Sequence, residues 1–384
     1  MKTVVQFGAG NIGRGFLGQL YSQSGWRTVY IDVNPEMIRL LNERKGFTIR
    51  IVGDNACDIG VKNVCAVDGK NLDAVAEAID QADLLGTSVG VNALKFIIPA
   101  LTRGLARRAA RGAGVDIIIC ENLLDSAKHL RGLIDAAAPE LSAFMDSKVG
   151  LVETVVSRMI PPLSPEERGA DPLAIAVEAY SILPVARRLF KNGVPDIVGF
   201  DPTDDIHAYE ERKLFCHNCM HAMASYFGYA KGHAYVWEAI ADADIRARVA
   251  AGGWESAQAL MRRHAFSDAD IRAHMNDLLK RFTNRALGDT VARCGGDPIR
   301  KLGPRDRLVG AALLTLEQGI EPTVLVEAIV AALRFNPAGD VSAPKLQEML
   351  RSGGLPAVLK DVCGLEAGHP LAQRITAAYA RTVR

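Results

Sequence analysis

Along the first half of the chain, short apolar runs alternate with segments of helical period. Val4-Val5-Gln6-Phe7 reads as a strand, and the stretch from Gly13 to about Ser24 carries the 3.6-residue spacing of a helix. Thr28 to Asp32 reads as a second strand that ends on an acid. Further strands are expected near 47–51, 62–67, 83–88, 115–120 and 174–181, with helical segments between several of them, most clearly 72–79 and 93–110. Strands and helices in this order predict a mainly parallel, doubly wound sheet. From Ile206 onward the apolar spacing is helical almost throughout: 206–228, 234–251, 254–264, 268–284, 306–318, 322–334, 344–351, 355–361 and 370–382. Between the halves, residues 195–205 carry two prolines and four aspartates. That composition places a domain boundary there, with an α/β domain over residues 1–199 and a mainly α-helical domain over 200–384.

The turn after the first strand adds chemistry to this pattern. Gly8-Ala9-Gly10-Asn11-Ile12-Gly13 opens the first helix, and Asp32 closes the next strand. A GxGxxG in that context is the fingerprint of a Rossmann-type dinucleotide site. Gly8 permits the tight turn, Gly10 lets backbone approach a pyrophosphate, and Gly13 lets helix and strand pack closely. The N–H groups of Ala9, Asn11 and Ile12 then face the phosphates at the helix N-terminus. The carboxylate of Asp32 accepts from ribose hydroxyls and repels a 2′-phosphate, so NAD is expected rather than NADP. No second flavin-holding element is evident.

Composition narrows the partners. A chain of 384 residues is longer than one hydrophobic core usually supports, and 49% apolar residues suffice for two. Lys plus Arg number 45 against 44 Asp plus Glu, so neither nucleic acid nor an anionic membrane is expected as the main partner. The longest apolar stretches, such as 115–120, fall far short of the roughly 20 residues of a membrane span. A cytoplasmic protein without a signal peptide is expected, acting as a monomer or weak oligomer. Seven cysteines, an odd number, suit reduced thiols. The basic run 103–111, RGLARRAAR, is expected to be a solvated helix face.

The segment YEERKLFCHNCMH places Glu210, Lys213, Asn218 and His221 within an arc of about 140° on a straight α-helix. Leu214 interrupts this polar stripe, which therefore suits a cleft better than open water. A desolvated lysine there can act as a general base. Lys213 and His221 would stand about 12 Å apart along a straight helix, so either the segment bends or the two address different hydroxyls. Cys216-x-x-Cys219 with His217 and His221 offers a rival zinc or redox reading. His217 points away from the face the two cysteines share, and no second ligand pair stands at zinc-finger spacing. Packed thiols and no metal are expected.

GAGNIGRG, Cys120-Glu121-Asn122 and ERKLF followed by N-x-x-H resemble the polyol-specific long-chain dehydrogenases. The resemblance implies a zinc-independent NAD enzyme in which Lys213 is the general base. Asn122 and Asn218 polarise the reacting oxygen, His221 orients a substrate hydroxyl, and Glu210 links Lys213 to solvent. It also implies that Arg293 and Lys301 serve near the polyol chain; neighbouring Arg300 is added here, and Arg300 and Lys301 are the candidates for holding a substrate phosphate. In length, short loops and the ERKLF run the chain most resembles the members of that family that act on a sugar phosphate, and the resemblance implies interconversion of D-mannitol 1-phosphate and D-fructose 6-phosphate. Two departures bear on the substrate: Ser157 stands where the family commonly has Asp in V-D-R-[IV]-x-P, and Cys219-Met220 where it has small residues. A related polyol or hexuronate-type oxidoreductase, and a catalytically inactive NAD(H)-binding sensor, stay open at this point.

Overall fold

The computed structural model describes residues 1–161 and 171–382. The chain divides between Ile206 and His207 into two compact units. In the first, a parallel sheet runs β5-β2-β1-β6-β7-β8, formed by β1 (Thr3–Phe7), β2 (Arg27–Asp32), β5 (Val64–Asp68), β6 (Leu84–Thr87), β7 (Val115–Ile119) and β8 (Val149–Glu153). Strand order reverses between β1 and β6, and in open α/β sheets ligands bind outside the carboxyl ends of the strands at that reversal.

Alternation along each strand feeds two cores. Val29 and Ile31 join Val5, Phe7, Leu85 and Ile117 beneath the helices Leu72–Gln81 and Leu94–Ala110. Tyr30, from the opposite face of the same strand, packs with Phe47, Ile49 and Ile175. Those three belong to a separate sheet in which β3 (Gly46–Ile51) pairs antiparallel with β4 (Cys57–Lys62) and parallel with β9 (Ile175–Val177). The apolar run at 47–51 thus covers the main sheet rather than extending it. A last parallel pair, β10 (Leu183–Ala186) with β11 (Phe200–Thr203), places a strand inside the Pro/Asp-rich 195–205 segment.

Strand β8 escapes the sequence pattern because it is short and carries Gly150. A Cβ there would strike the Asp116 carboxylate and lie 2.5 Å from the carbonyl oxygen of Leu189. Asp116 needs that space because it accepts from the backbone N–H of Lys191 and Asn192.

The basic run 103–111 differs from expectation at one residue. Arg103 and Arg111 form exposed pairs with Asp73 and Asp80. Arg108 is buried, and its guanidinium donates to the carbonyls of Ile79, Asp80, Ala82, Ala113 and Gly114. It satisfies carbonyls at the end of the helix Leu72–Gln81 and in the turn that follows its own helix.

The second unit is helical: 206–230, Val236–Ala241, Ala243–Arg263, Asp268–Arg281, Val309–Glu317, Thr323–Leu333, Ala343–Asp361 and Pro370–Thr382 are its main elements. One helix, Ala243–Arg263, runs through Gly252-Gly253, where the sequence pattern suggests a break. Cβ atoms there would lie 2.8 Å from Met223 Sδ and from Met220 Cγ, so the glycines let this helix press on Cys219–Ala230. The helix Ala343–Asp361 is kinked at Gly354, whose φ is 69°. Among the described residues, no helix is long and apolar enough to cross a membrane.

Arg108→Ala strands buried carbonyls and is expected to lower the unfolding free energy by roughly 2 kcal/mol or more in urea titrations. Arg103→Ala, which loses an exposed pair, should stay within about 0.5 kcal/mol of wild type.

Candidate active site

In the first unit the glycine-rich turn is built by close approach. Gly8 has φ +90°, and a Cβ on it would come 2.6 Å from the carbonyl oxygen of Ser88. A Cβ on Gly13 would collide with the Gly8 carbonyl, whereas one on Gly10 would meet nothing within 4 Å. The turn is thus closed on the protein side and open at exposed Gly10, the cradle a pyrophosphate requires. Asn11 is exposed, Ile12 half-buried, and no side chain caps the helix at Ile12. Asp32 accepts from Ala9 N–H at 2.8 Å and from the N–H groups of Val33 and Asn34, which locks it against the turn at the end of β2.

Two buried arginines brace this region. Arg14 donates to the carbonyls of Ala9 and Leu173, both at 2.6 Å. Arg158, from the segment carrying Ser157, donates to the Glu178 and Gly15 carbonyls and to Gln19. Around them the helix widens: Gly13–Leu17 is a π-helical stretch in which Gly18 N–H reaches the Gly13 carbonyl. At the neighbouring strand ends, Glu121 accepts from Val89 and Gly90 N–H at 2.9 and 2.8 Å. Burial pushes its carboxyl above the usual range despite those bonds. Asn122 follows at once and is exposed.

In the second unit, Glu210, Lys213, Asn218 and His221 lie along one continuous helical segment, but the segment is not a plain α-helix. Lys213–Asn218 is π-helical. Closing i to i+5 widens the turn, so the 100° step and 1.5 Å rise assumed from the sequence do not hold across it. Burial of the Lys213 ammonium lowers its pKa to about 8; Arg307 pushes the same way and Glu210 opposes. Glu210 is largely buried at its side chain and accepts from His207 Nδ1–H at 2.9 Å.

His221 stacks on Phe282 and faces Asp289, its Nε2 lying 3.0 Å from Oδ2. Burial opposes charge on this imidazole, but Cys294 and Asp289 outweigh it and lift the pKa to about 9. Arg293, exposed, pairs with the other oxygen of Asp289. Arg300 reaches Asp297 at 2.9 Å and Asp306 at 3.1 Å, and Asp306 also holds Arg307. Lys301 is buried, and its ammonium donates to the carbonyls of Cys294 and Gly296. Burial, with Arg307 and Arg300 nearby, brings its pKa down to about 8. The structure thus gathers His221 and Arg293 on Asp289, and sets Lys301 under the turn that carries Cys294.

The C-x-x-C pair packs in the core. Burial pushes Cys216 up to about 12 and raises Cys219 well above the ordinary thiol value, so both remain thiols near neutral pH. Among the described residues, the donors close enough to share an ion are instead His221, Asp289 and Cys294, within 4.8 Å of one another.

The model of the mannitol dehydrogenase Rossmann domain matches residues 2–199, and that of the mannitol dehydrogenase C-terminal domain matches residues 205–383. The chain belongs to the mannitol dehydrogenase family. The Pseudomonas fluorescens mannitol 2-dehydrogenase, solved as a ternary complex with NAD and D-mannitol, is similar over 99% of this chain and 90% of its own, at 18% identity and a TM-score of 0.76. A D-sorbitol dehydrogenase in substrate-free form is similar over 99% and 93%, at 16% identity and a TM-score of 0.84. At these identities the likeness is one of fold.

In this family member, sequence spacing passes over Asp289, Arg307 and Glu121. Only Asp289 leaves a trace, as an Asp-x3-Arg pair with Arg293 on one helical face. Arg307 and Glu121 act through tertiary contacts that no local period encodes. If desolvation governs Lys213, its ammonium should titrate near pH 8 in NMR of the reductively ¹³C-methylated protein, about two units below exposed lysines.

Proposed function

We propose that this chain is an NAD-dependent polyol dehydrogenase that interconverts D-mannitol 1-phosphate and D-fructose 6-phosphate, with Lys213 as the general base. The observation that carries the reading is the Lys213 ammonium, brought by burial to about 8 on a π-helical turn shared with Asn218. A base poised near the working pH both takes and returns a proton.

When bound, NAD supplies the hydride acceptor. Gly8 to Gly13 would hold its pyrophosphate, and Asp32 its adenosine ribose, where a 2′-phosphate would meet a carboxylate. In the oxidative direction Lys213 Nζ takes the proton of the reacting hydroxyl, while the amides of Asn218 and Asn122 are assigned to the oxygen as negative charge grows on it. Glu210, whose charge acts on Lys213, returns that proton toward solvent. His221 and Arg293 hold other hydroxyls of the polyol. Of the two cations proposed for phosphate, Arg300 keeps a half-exposed guanidinium, whereas Lys301 braces the 294–296 turn.

A second reading, an unphosphorylated polyol as substrate, is favoured by the pairing of Arg300 with two carboxylates. NADH oxidation with fructose 6-phosphate against fructose separates the two. The sugar-phosphate reading expects a KM for fructose 6-phosphate lower by at least about tenfold, and equal KM values overturn it. Tight NADH binding without turnover of any ketose would mark a sensor instead.

Lys213→Ala is expected to abolish turnover while NADH affinity, measured by fluorescence, stays near wild type. In the wild type, polyol oxidation should rise with pH through about 8 and level off above it, because the neutral amine is the base. Ketose reduction needs the ammonium and should fall through the same range. Profiles flat between pH 7 and 9 on both sides would refute the assignment.

A further inference from the structure

Asp289 sits where three demands meet. One oxygen faces His221 Nε2 at 3.0 Å and the other takes the guanidinium of Arg293. Its carboxylate is largely buried, yet its pKa stays below the ordinary value: burial works against ionisation, and His221 and Arg293 overcome it. The residue lies between Gly288, in the left-handed region at φ +60°, and Thr290, whose hydroxyl caps the helix Val291–Gly295. Asp289 N–H is thus set by a defined turn, and its carbonyl accepts from Val236 N–H at 2.9 Å. The backbone beneath this carboxylate is fixed on both sides.

Across the ring, Phe282 stacks on His221 with centroids 5.0 Å apart, and His217 lies edge-on at 6.4 Å. His217 is held neutral by burial and by the positive charges of Arg281 and its histidine neighbours. The charged or titratable groups facing His221 are therefore Asp289, Cys294 and His217, with Arg293 behind Asp289. Of these groups Asp289 is the carboxylate, held in place by Arg293, and such a neighbour sets the orientation of the ring. At 3.0 Å Nε2 and Oδ2 form an ion pair without the alignment of a hydrogen bond.

We propose that Asp289 is a positioning residue: it holds His221 through Nε2, is itself held by Arg293, and leaves Nδ1 as the ring nitrogen that meets a polyol hydroxyl. The proposal rests on the reading of His221 as a substrate-orienting residue. Arg293 then has two roles, since any movement of its guanidinium toward substrate is felt by His221 through the shared carboxylate. A cation seated between His221, Asp289 and Cys294 would compete with this arrangement, because it would take the same ring nitrogen.

The test uses the full chain and three variants, Asp289→Asn, His221→Ala and the double variant, with NADH binding as the check that each has folded. Imidazole resonances of the eight histidines are followed by NMR, that of His221 being assigned by its loss in His221→Ala. In Asp289→Asn the His221 midpoint is expected to move down by more than about one unit. The KM for the ketose should rise by roughly tenfold to 10²-fold, with little change in NADH affinity, and the double variant should be no worse than His221→Ala alone. An unmoved His221 midpoint and KM in Asp289→Asn, while His221→Ala raises KM, would overturn the proposal and leave the reading of the site standing. An unchanged KM in His221→Ala would overturn both. If Asp289→Asn does not fold, the wild type decides: a His221 midpoint at or below the ordinary histidine value shows that Asp289 does not hold the ring. Loss of the wild-type His221 signal shift only on removal of bound zinc would assign the carboxylate to a metal and overturn it as well.

Discussion

Taking water from the ammonium of Lys213 costs free energy, and the helical unit is organised around that cost. Arg307 adds to it and Glu210 relieves it in part, so the amine can give up its proton near pH 8. A salt bridge of the kind Arg374 makes with Glu321 at the surface would hold a base permanently charged. The helix Cys219–Ala230, buried over most of its length, supplies the apolar wall, and the glycines at 252 and 253 allow that wall to be close-packed. The same wall keeps Cys216 and Cys219 as inert thiols. One packing arrangement thus sets the chemistry of the lysine and removes that of the cysteines.

The first unit solves a different problem, holding an open turn in one shape. The turn has little side-chain bulk of its own, so stiffness comes from arginines whose hydrogen bonds go to backbone carbonyls: Arg14 to Ala9 and Leu173, Arg158 to Gly15 and Glu178. Arg158 belongs to the motif in which Ser157 replaces the usual acid. Its bonds are made without that acid, so the replacement leaves the brace of the glycine-rich helix in place.

What the sequence makes legible follows from how local each feature is. The GAGNIG turn and the acid at the end of β2 are visible because a strand end and a helix start have fixed spacing, whereas the stripe from Glu210 to His221 is read on a straight α-helix that the π-helical Lys213–Asn218 interrupts. Arg108 reads as one more basic surface residue, because its five carbonyl partners come from two separate places in the chain, one of them some thirty positions earlier. Gly252-Gly253 reads as a break for a similar reason: only the methionines of a neighbouring helix show that a glycine there permits contact. Strands β10 and β11 hide behind prolines, which a short edge pair accommodates. Asp289 is visible as a partner of Arg293 and invisible as a partner of His221, which lies 68 positions earlier.

Both π-helical stretches named above fall at a candidate site, one under the glycine-rich turn and one under Lys213. Such a stretch holds one residue more than the α-helix that would replace it. Between Lys213 and Asn218, the identity of the intervening side chains is therefore less critical than their number. Loss of a single residue would restore regular winding with the flanking turns kept in register, and the side chains inside the stretch would lose the directions that the widened turn gives them. The count of residues in this turn is itself part of the candidate site.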